Sequence, residues 1–179
     1  MIKKLASDEI LKAKPSIERV RKLKRMPIYI IADNIRSLYN VGAIFRTSDG
    51  ILAEKIYLCG MTGIPPRREI QKTSLGACEV VPWEYRENSV SAIKELKKKG
   101  VQIVALELTH SSQNYADTEF EFPCALIVGH EINGINDEIM QYVDKAIDIP
   151  MLGRANSLNV ATAFGIAAYQ ILHKYKKSC

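Results

Sequence analysis

The sequence predicts an α/β fold: a mainly parallel sheet with helices on both faces, ending in a long apolar helix. Two observations carry this reading. Short runs rich in Ile, Val and Tyr at 28–32, 55–59, 101–108 and 124–128 alternate with segments of helical period at 41–51, 68–75, 88–99 and 136–143. The strand-like runs are also apolar almost throughout, as strands covered on both faces must be. At 179 residues the chain is long enough for one domain with its own core.

The N-terminal segment reads differently from the rest. Residues 1–25 hold nine Lys or Arg against three acids, a net +6, whereas the whole chain carries +5, so residues 26–179 are close to neutral. The expected organisation is therefore a basic helical arm, 1–25, on a domain spanning 26–179. Pro15-Ser16 divides the arm into two short helices, with Ser16 capping the second. Leu5, Ile10, Leu11, Ile17, Val20 and Leu23 give it an apolar side suited to docking on the body or on a second chain. A basic arm on a neutral globule is the footprint of a nucleic-acid partner, or else a solvated amphipathic segment.

In the body, Gly76 ends the helix at 68–75 and Gly100 closes the surface helix at 88–99, while Val80-Val81 leads into a strand near Trp83. A last short strand at 147–149 stops at Pro150. A loop containing Gly153 follows, then a helix from about 158 to 175 with Ser157 or Asn156 as N-cap. Val160, Phe164, Ala167 and Ile171 line one face of that helix and Ala161, Gly165 and Ala168 another. Such a helix is expected to be buried on most sides, against the sheet and against a second chain. Asn156, Ser157 and Asn159 at its mouth are more polar groups than capping requires, and they suggest a small polar ligand.

Several function classes are excluded. Cys59, Cys78, Cys124 and Cys179 are scattered, which argues against a zinc ribbon or a disulfide framework and fits a reducing cytoplasm. His130-Glu131 begins like the zinc motif HExxH, but Gly134 stands where the second His belongs, so no metal is expected. Gly129 and Gly134 have Walker A spacing, yet Ile135-Asn136 replaces the required Lys-Ser/Thr, and no GxGxxG occurs. No signal peptide and no membrane-spanning run is apparent.

Ligands of parallel sheets bind beyond the carboxyl ends of the strands, which directs attention to three segments. The first, 33–46, ends a strand and opens a helix with Asn34, Arg36, Asn40 and Arg46. Arg46 falls among Val41, Ile44 and Phe45, where a guanidinium needs an anionic partner, either a ligand or a core carboxylate such as Asp49. The second, 128–134, is a glycine-bordered loop around Glu131; taken by itself it also fits a plain strand-to-helix turn with both glycines at positive φ. The third is 147–160.

Together these segments resemble the three signature motifs of the SpoU (TrmH) family of SPOUT-class RNA 2′-O-ribose methyltransferases. Asn34 followed by Asn40, Gly42 and Arg46 resembles the first motif, NxGxxxR. The stretch GHEING, with Gly129, Glu131 and Gly134, matches the second, and 149–160, IPMLGRANSLNV, resembles the third. Residues 72–77, KTSLGA, followed by Val81-Pro82, are similar to the middle of these domains. Order and spacing agree over 27–172. Ala161-Thr162-Ala163 replaces the Ser-Val-Ala common in the family.

The resemblance implies more than the residues alone do. It implies a C-terminal trefoil knot, a rare exception to the rule against knotted chains, with S-adenosylmethionine held in it. Carried over residue by residue, Gly129, Ile149, Met151 and Leu158 would bind the cofactor, and the stretch from Leu106 to Thr109, ending the preceding strand, would also touch it. Arg46, Asn40, Glu131, Ser157 and Asn159 would form the catalytic wall, in a homodimer whose active site lies at the interface. The implied task is to align a ribose hydroxyl with a sulfonium methyl and help its proton leave. Guanidinium stays protonated, so Arg46 fits better as a binder of phosphate or of the developing alkoxide than as a base. Asn40 would orient Arg46 or the ribose, and Glu131 would orient Arg46 or a backbone amide. The basic arm and the Lys174–Lys177 tail, without an appended RNA-binding domain, resemble the shorter tRNA-modifying members, which act on a D-loop guanosine. The alternatives are rRNA as substrate, a non-catalytic RNA-binding relative, and an α/β protein for an unrelated small molecule.

Overall fold

A computed structural model describes residues 1–178, without the side chains of Ile10 and Leu11. Seven strands form one sheet: β1 Met26–Asp33, β2 Ala53–Cys59, β3 Trp83–Arg86, β4 Gln102–Leu106, β5 Gln113–Asn114, β6 Cys124–Val128 and β7 Lys145–Asp148. Their order is β3-β2-β1-β6-β4-β7-β5, and every pairing is parallel. The helices are α1 Ser7–Ala13, α2 Ile17–Arg21, α3 Leu38–Gly50, α4 Arg68–Ser74, α5 Ser89–Lys98, α6 Asp137–Met140 and α7 Val160–Ser178.

Side chains alternate across each strand, so the apolar runs fill two cores at once. Ile28, Ile30 and Ala32 join Phe45, Phe164 and Ile171 beneath α3 and α7. Ile31, Ala105 and Ile127 pack instead with Ala92, Ile93 and Leu96 of α5 on the opposite face. Among the described residues, no helix is long and apolar enough to cross a membrane, and Cys59, Cys78 and Cys124 are free thiols.

Gly42 is demanded by helix packing. A Cβ there would lie 2.0 Å from Thr73 Oγ1 and 2.5 Å from the Ile70 carbonyl oxygen, so α4 can rest on α3 only over a bare Cα. Gly42→Ala is expected to destabilise the fold by about 1–3 kcal/mol through overpacking, measurable by urea denaturation.

Several elements differ from their expected limits. The helix α7 begins at Val160 rather than 158, and its cap is Asn159, whose Oδ1 accepts from the amides of Ala161 and Thr162 at 3.0 and 3.3 Å. Ser157 and Asn156 lie too far upstream to reach those amides. Within one chain the sheet-facing side of α7 is buried, through Phe164, Ala167, Ala168, Ile171 and Leu172, whereas Tyr169 is 53% exposed. α6 is a single turn, because Asp144 draws the chain into β7 by exchanging bonds with Ile103. The two-residue edge strand β5 escaped the pattern because both its side chains are exposed.

In the arm, Ser16 Oγ caps α2 by accepting from the Arg19 amide. The attachment to the body is polar. Arg21 donates to the Glu79 carbonyl, and Arg25 donates to the carbonyls of Ala53 and Val80 at 3.0 and 2.6 Å. Leu5, Ile17 and Leu23 remain exposed; the side chains of Ile10 and Leu11 lie outside the description.

Candidate active site

The sheet order explains how distant segments meet. β1, β6, β4 and β7 are consecutive neighbours, about 4.8 Å apart, so the loops leaving their carboxyl ends stand side by side. The loops after β6, β4 and β7 enclose a cavity of about 480 Å³. Leu106, Gly129, Ile149, Met151 and Leu158, from three separate stretches of sequence, all line it. So do three carboxylate residues, Glu107, Glu131 and Asp148, with no Lys or Arg. This lining favours a cationic ligand over a phosphorylated one.

The loop after β6 is tightly folded. His130 and Gly134 exchange backbone hydrogen bonds of 3.1 and 2.9 Å, and His130 Nδ1 accepts from the amides of Ile132 and Asn133. Only Gly134 has a positive φ, at 67°. Gly129 is required for a different reason from the one expected. A Cβ on it would meet the Gly134 carbonyl at 2.5 Å and the Ile135 amide nitrogen at 2.6 Å, all unyielding backbone. Gly129→Ala is expected to cost about 1–3 kcal/mol and to weaken cofactor binding, as denaturation and calorimetry would report.

Glu131 joins this loop to the one after β1. Its carboxylate accepts from the amides of Arg36 and Ser37 at 3.0 and 2.9 Å and from Asn40 Nδ2 at 2.9 Å. It therefore sits at the N-terminus of α3, where backbone N–H groups are unpaired and the helix dipole favours an anion. Burial acts to raise its pKa, but the hydrogen bonds from Ser37, Asn40 and Arg36 outweigh it and hold the carboxyl below the usual range. Asn40 Oδ1 in turn accepts from Asn159 Nδ2 at 3.2 Å. One polar chain, Glu131–Asn40–Asn159, thus ties the three segments together, and Asn159 serves it while capping α7.

The predicted polar residues divide by place. Glu131, Ser157 and Asn156 line the cavity. Asn40 stands one hydrogen bond behind Glu131, and Asn159 two. Asn34 is turned away: at φ 54°, its Oδ1 accepts from the Met61 amide and its Nδ2 donates to Asp33, bracing the carboxyl edge of β1. Arg46 is neither near a buried face nor paired with Asp49. It is exposed on α3, outside the cavity lining, and among the described residues its side chain makes no hydrogen bond or ion pair. Asp49 instead feels the charges of Arg25 and Lys14. Within 106–109, the stretch expected beside the cofactor, the structure singles out Glu107, whose Oε2 accepts from the Ile135 amide at 2.9 Å. Its signal was a lone carboxylate inside the apolar run 101–108.

Residues 27–169 match the SpoU rRNA methylase family. The chain belongs to that family. Among its relatives, the tRNA (guanosine(18)-2′-O)-methyltransferase of Aquifex aeolicus is 33% identical over 165 residues, 90% of this chain and 78% of that protein. A putative TrmH family tRNA/rRNA methyltransferase of Bacillus subtilis is 27% identical, with 83% of this chain covering 59% of its length. The crystal structure of the A. aeolicus TrmH/SpoU tRNA modifying enzyme superimposes with a TM-score of 0.81 over 90% of this chain and 83% of that one. An AdoMet-bound rRNA methyltransferase of Sinorhizobium meliloti, 30% identical, gives 0.78 over 86% and 59%. In this SpoU member, Glu131, Asn40 and Asn159 come one from each of the three signature motifs.

Proposed function

We propose that this SpoU-family chain methylates a ribose 2′-hydroxyl of tRNA, at a guanosine of the D-loop, with S-adenosylmethionine as the methyl source. The observation that carries the reading is the Glu131–Asn40–Asn159 chain on the wall of a cavity lined by carboxylates and apolar groups. The guanosine-specific tRNA methyltransferase named above supports the choice of substrate.

The residues present fit that cofactor. Leu106, Ile149, Met151 and Leu158 offer apolar walls, Gly129 lines the cavity with backbone alone, and the anionic lining suits a ligand carrying a sulfonium. S-adenosylmethionine, when bound, supplies a methyl group already activated by positive charge. The protein's part is to place the ribose in line with it and to stabilise the oxygen as its proton leaves. Ser157, at the cavity wall, is placed to orient the ribose, and Glu131 holds Asn40 and the start of α3 in register. Arg46 has no partner of its own among the described residues and is free to hold the adjacent phosphate or the developing alkoxide as a bidentate donor.

Because Arg46 stands outside its own chain's cavity, we place it in the cavity of a second copy. α3 and α7 run side by side, with Thr47 beside Gly165 and Gly50 beside Tyr169. Their shared outer surface, bearing Arg46 and Tyr169, is the face assigned to the homodimer. The remaining parts of the reading are a C-terminal segment threaded as a trefoil knot, residues 1–25 as a separate arm gripping RNA phosphates, and action in the cytoplasm.

Transfer of labelled methyl from S-adenosylmethionine to unmodified total RNA tests the reading. Label in a 2′-O-methylguanosine from the tRNA fraction is the expected result. Label in rRNA would keep the reaction and overturn the substrate, and cofactor binding without transfer to any RNA would indicate a non-catalytic relative.

A further inference from the structure

We propose that Glu107 is an anionic anchor of the cofactor cavity: one carboxylate oxygen braces the Gly134–Ile135 turn, and the other accepts a hydrogen bond from a hydroxyl or ammonium group of the cofactor. The inference rests on the cofactor assignment above. Glu107 directly follows β4, and its backbone N–H still donates to the Ile147 carbonyl at 3.0 Å, so the sheet sets its position. Its Oε2 accepts from the Ile135 amide at 2.9 Å and lies 2.3 Å from where a Cβ on Gly134 would be. Gly134 therefore serves two ends, a positive φ and room for this carboxylate.

The other oxygen is under-used. Among the described residues Oε1 accepts only from the amide of the next residue, Leu108, at 3.1 Å, and an ionised carboxylate offers about four lone-pair sites. Bracing the Ile135 amide requires an acceptor but no charge, so the carbonyl oxygen of glutamine would serve there, with only the local Leu108 bond given up. A half-buried charge in a cavity wall carries a desolvation cost that a donor from the ligand would offset. Of the other cavity carboxylates, Glu131 commits its oxygens to Arg36, Ser37 and Asn40. Among the described residues, none makes a comparable hydrogen bond to the Asp148 side chain.

Calorimetry on purified wild type, Glu107→Gln and Asp148→Asn tests this, with S-adenosylhomocysteine and 5′-methylthioadenosine as ligands. The first ligand has both ribose hydroxyls and an ammonium; the second lacks the ammonium. Glu107→Gln is expected to weaken S-adenosylhomocysteine by about tenfold or more, with an unchanged melting point of the free protein. An equal loss for 5′-methylthioadenosine puts the donor on the ribose, and no loss puts it on the ammonium; either supports the assignment. Unchanged binding of both ligands overturns it, as does an equal loss in Asp148→Asn, which would reflect cavity charge alone. If Glu107→Gln melts early, carboxyl ¹³C NMR of wild type replaces it: a Glu107 resonance unmoved by S-adenosylhomocysteine overturns the proposal. Wild type that binds neither ligand would instead remove the cofactor assignment itself.

Discussion

Arg46→Ala is expected to lower methyl transfer by about 10²–10³-fold in kcat while leaving cofactor affinity and the melting point unchanged. The expectation follows from its position. Arg46 is exposed, lies outside the cavity lining, and holds no partner among the described residues, so its removal leaves no buried group unsatisfied. Substitutions of this kind usually shift stability by no more than about 0.5 kcal/mol. Arg46→Lys should not restore activity, because an ammonium cannot give the two parallel bonds of a guanidinium. Labelled-methyl incorporation beside calorimetry separates the outcomes: a variant that loses cofactor affinity along with activity would show that Arg46 holds the cofactor rather than the RNA. Mixed dimers of Arg46→Ala with Gly129→Ala should regain activity if Arg46 serves the neighbouring subunit.

Glu131→Ala should damage both fold and function. It strips acceptors from the Arg36 and Ser37 amides and from Asn40 at once. Water recovers part of that loss at a partly exposed site, which leaves an expected destabilisation of about 1–3 kcal/mol by urea denaturation. Asn40 also loses its anchor, so Asn159 and the mouth of α7 lose their tie to α3, and methyl transfer should fall even where the protein remains folded. The pH dependence has a defined sign. The folded carboxyl titrates below its ordinary value, since the bonds from Ser37, Asn40 and Arg36 overcome the opposing effect of burial. Its contribution to stability is therefore complete above about pH 4.3, the unfolded value, and disappears as pH falls through the folded one. Glu131→Gln should flatten that acid limb of the stability profile; an unchanged limb would show that other carboxylates carry it.

The sequence read well wherever a residue's role was local. Apolar runs marked β1, β2, β4 and β6 because strands buried on both faces have no polar side to show. Ser16 signalled a helix start through the short reach of a capping oxygen, and it caps as expected. Reading failed where a role depended on another segment. Gly129 looked like a residue of positive φ, but it is the Gly134–Ile135 backbone that forbids it a side chain. Arg46 looked half-buried because Val41, Ile44 and Phe45 surround it in sequence, yet on a helix those neighbours turn to the core while Arg46 turns out.

By itself, then, the sequence determined the α/β class, the places of the buried strands, the charged arm and the three motifs with their order. Only the tertiary structure decided that Glu131 spans to the amides of α3, that Asn159 both caps α7 and holds Asn40, and that Glu107 braces the Ile135 amide. The physical reason lies in the strand order. Hydrogen bonding between β1, β6, β4 and β7 places side by side loops that stand tens of residues apart in the chain, and no local pattern encodes which strand will pair with which.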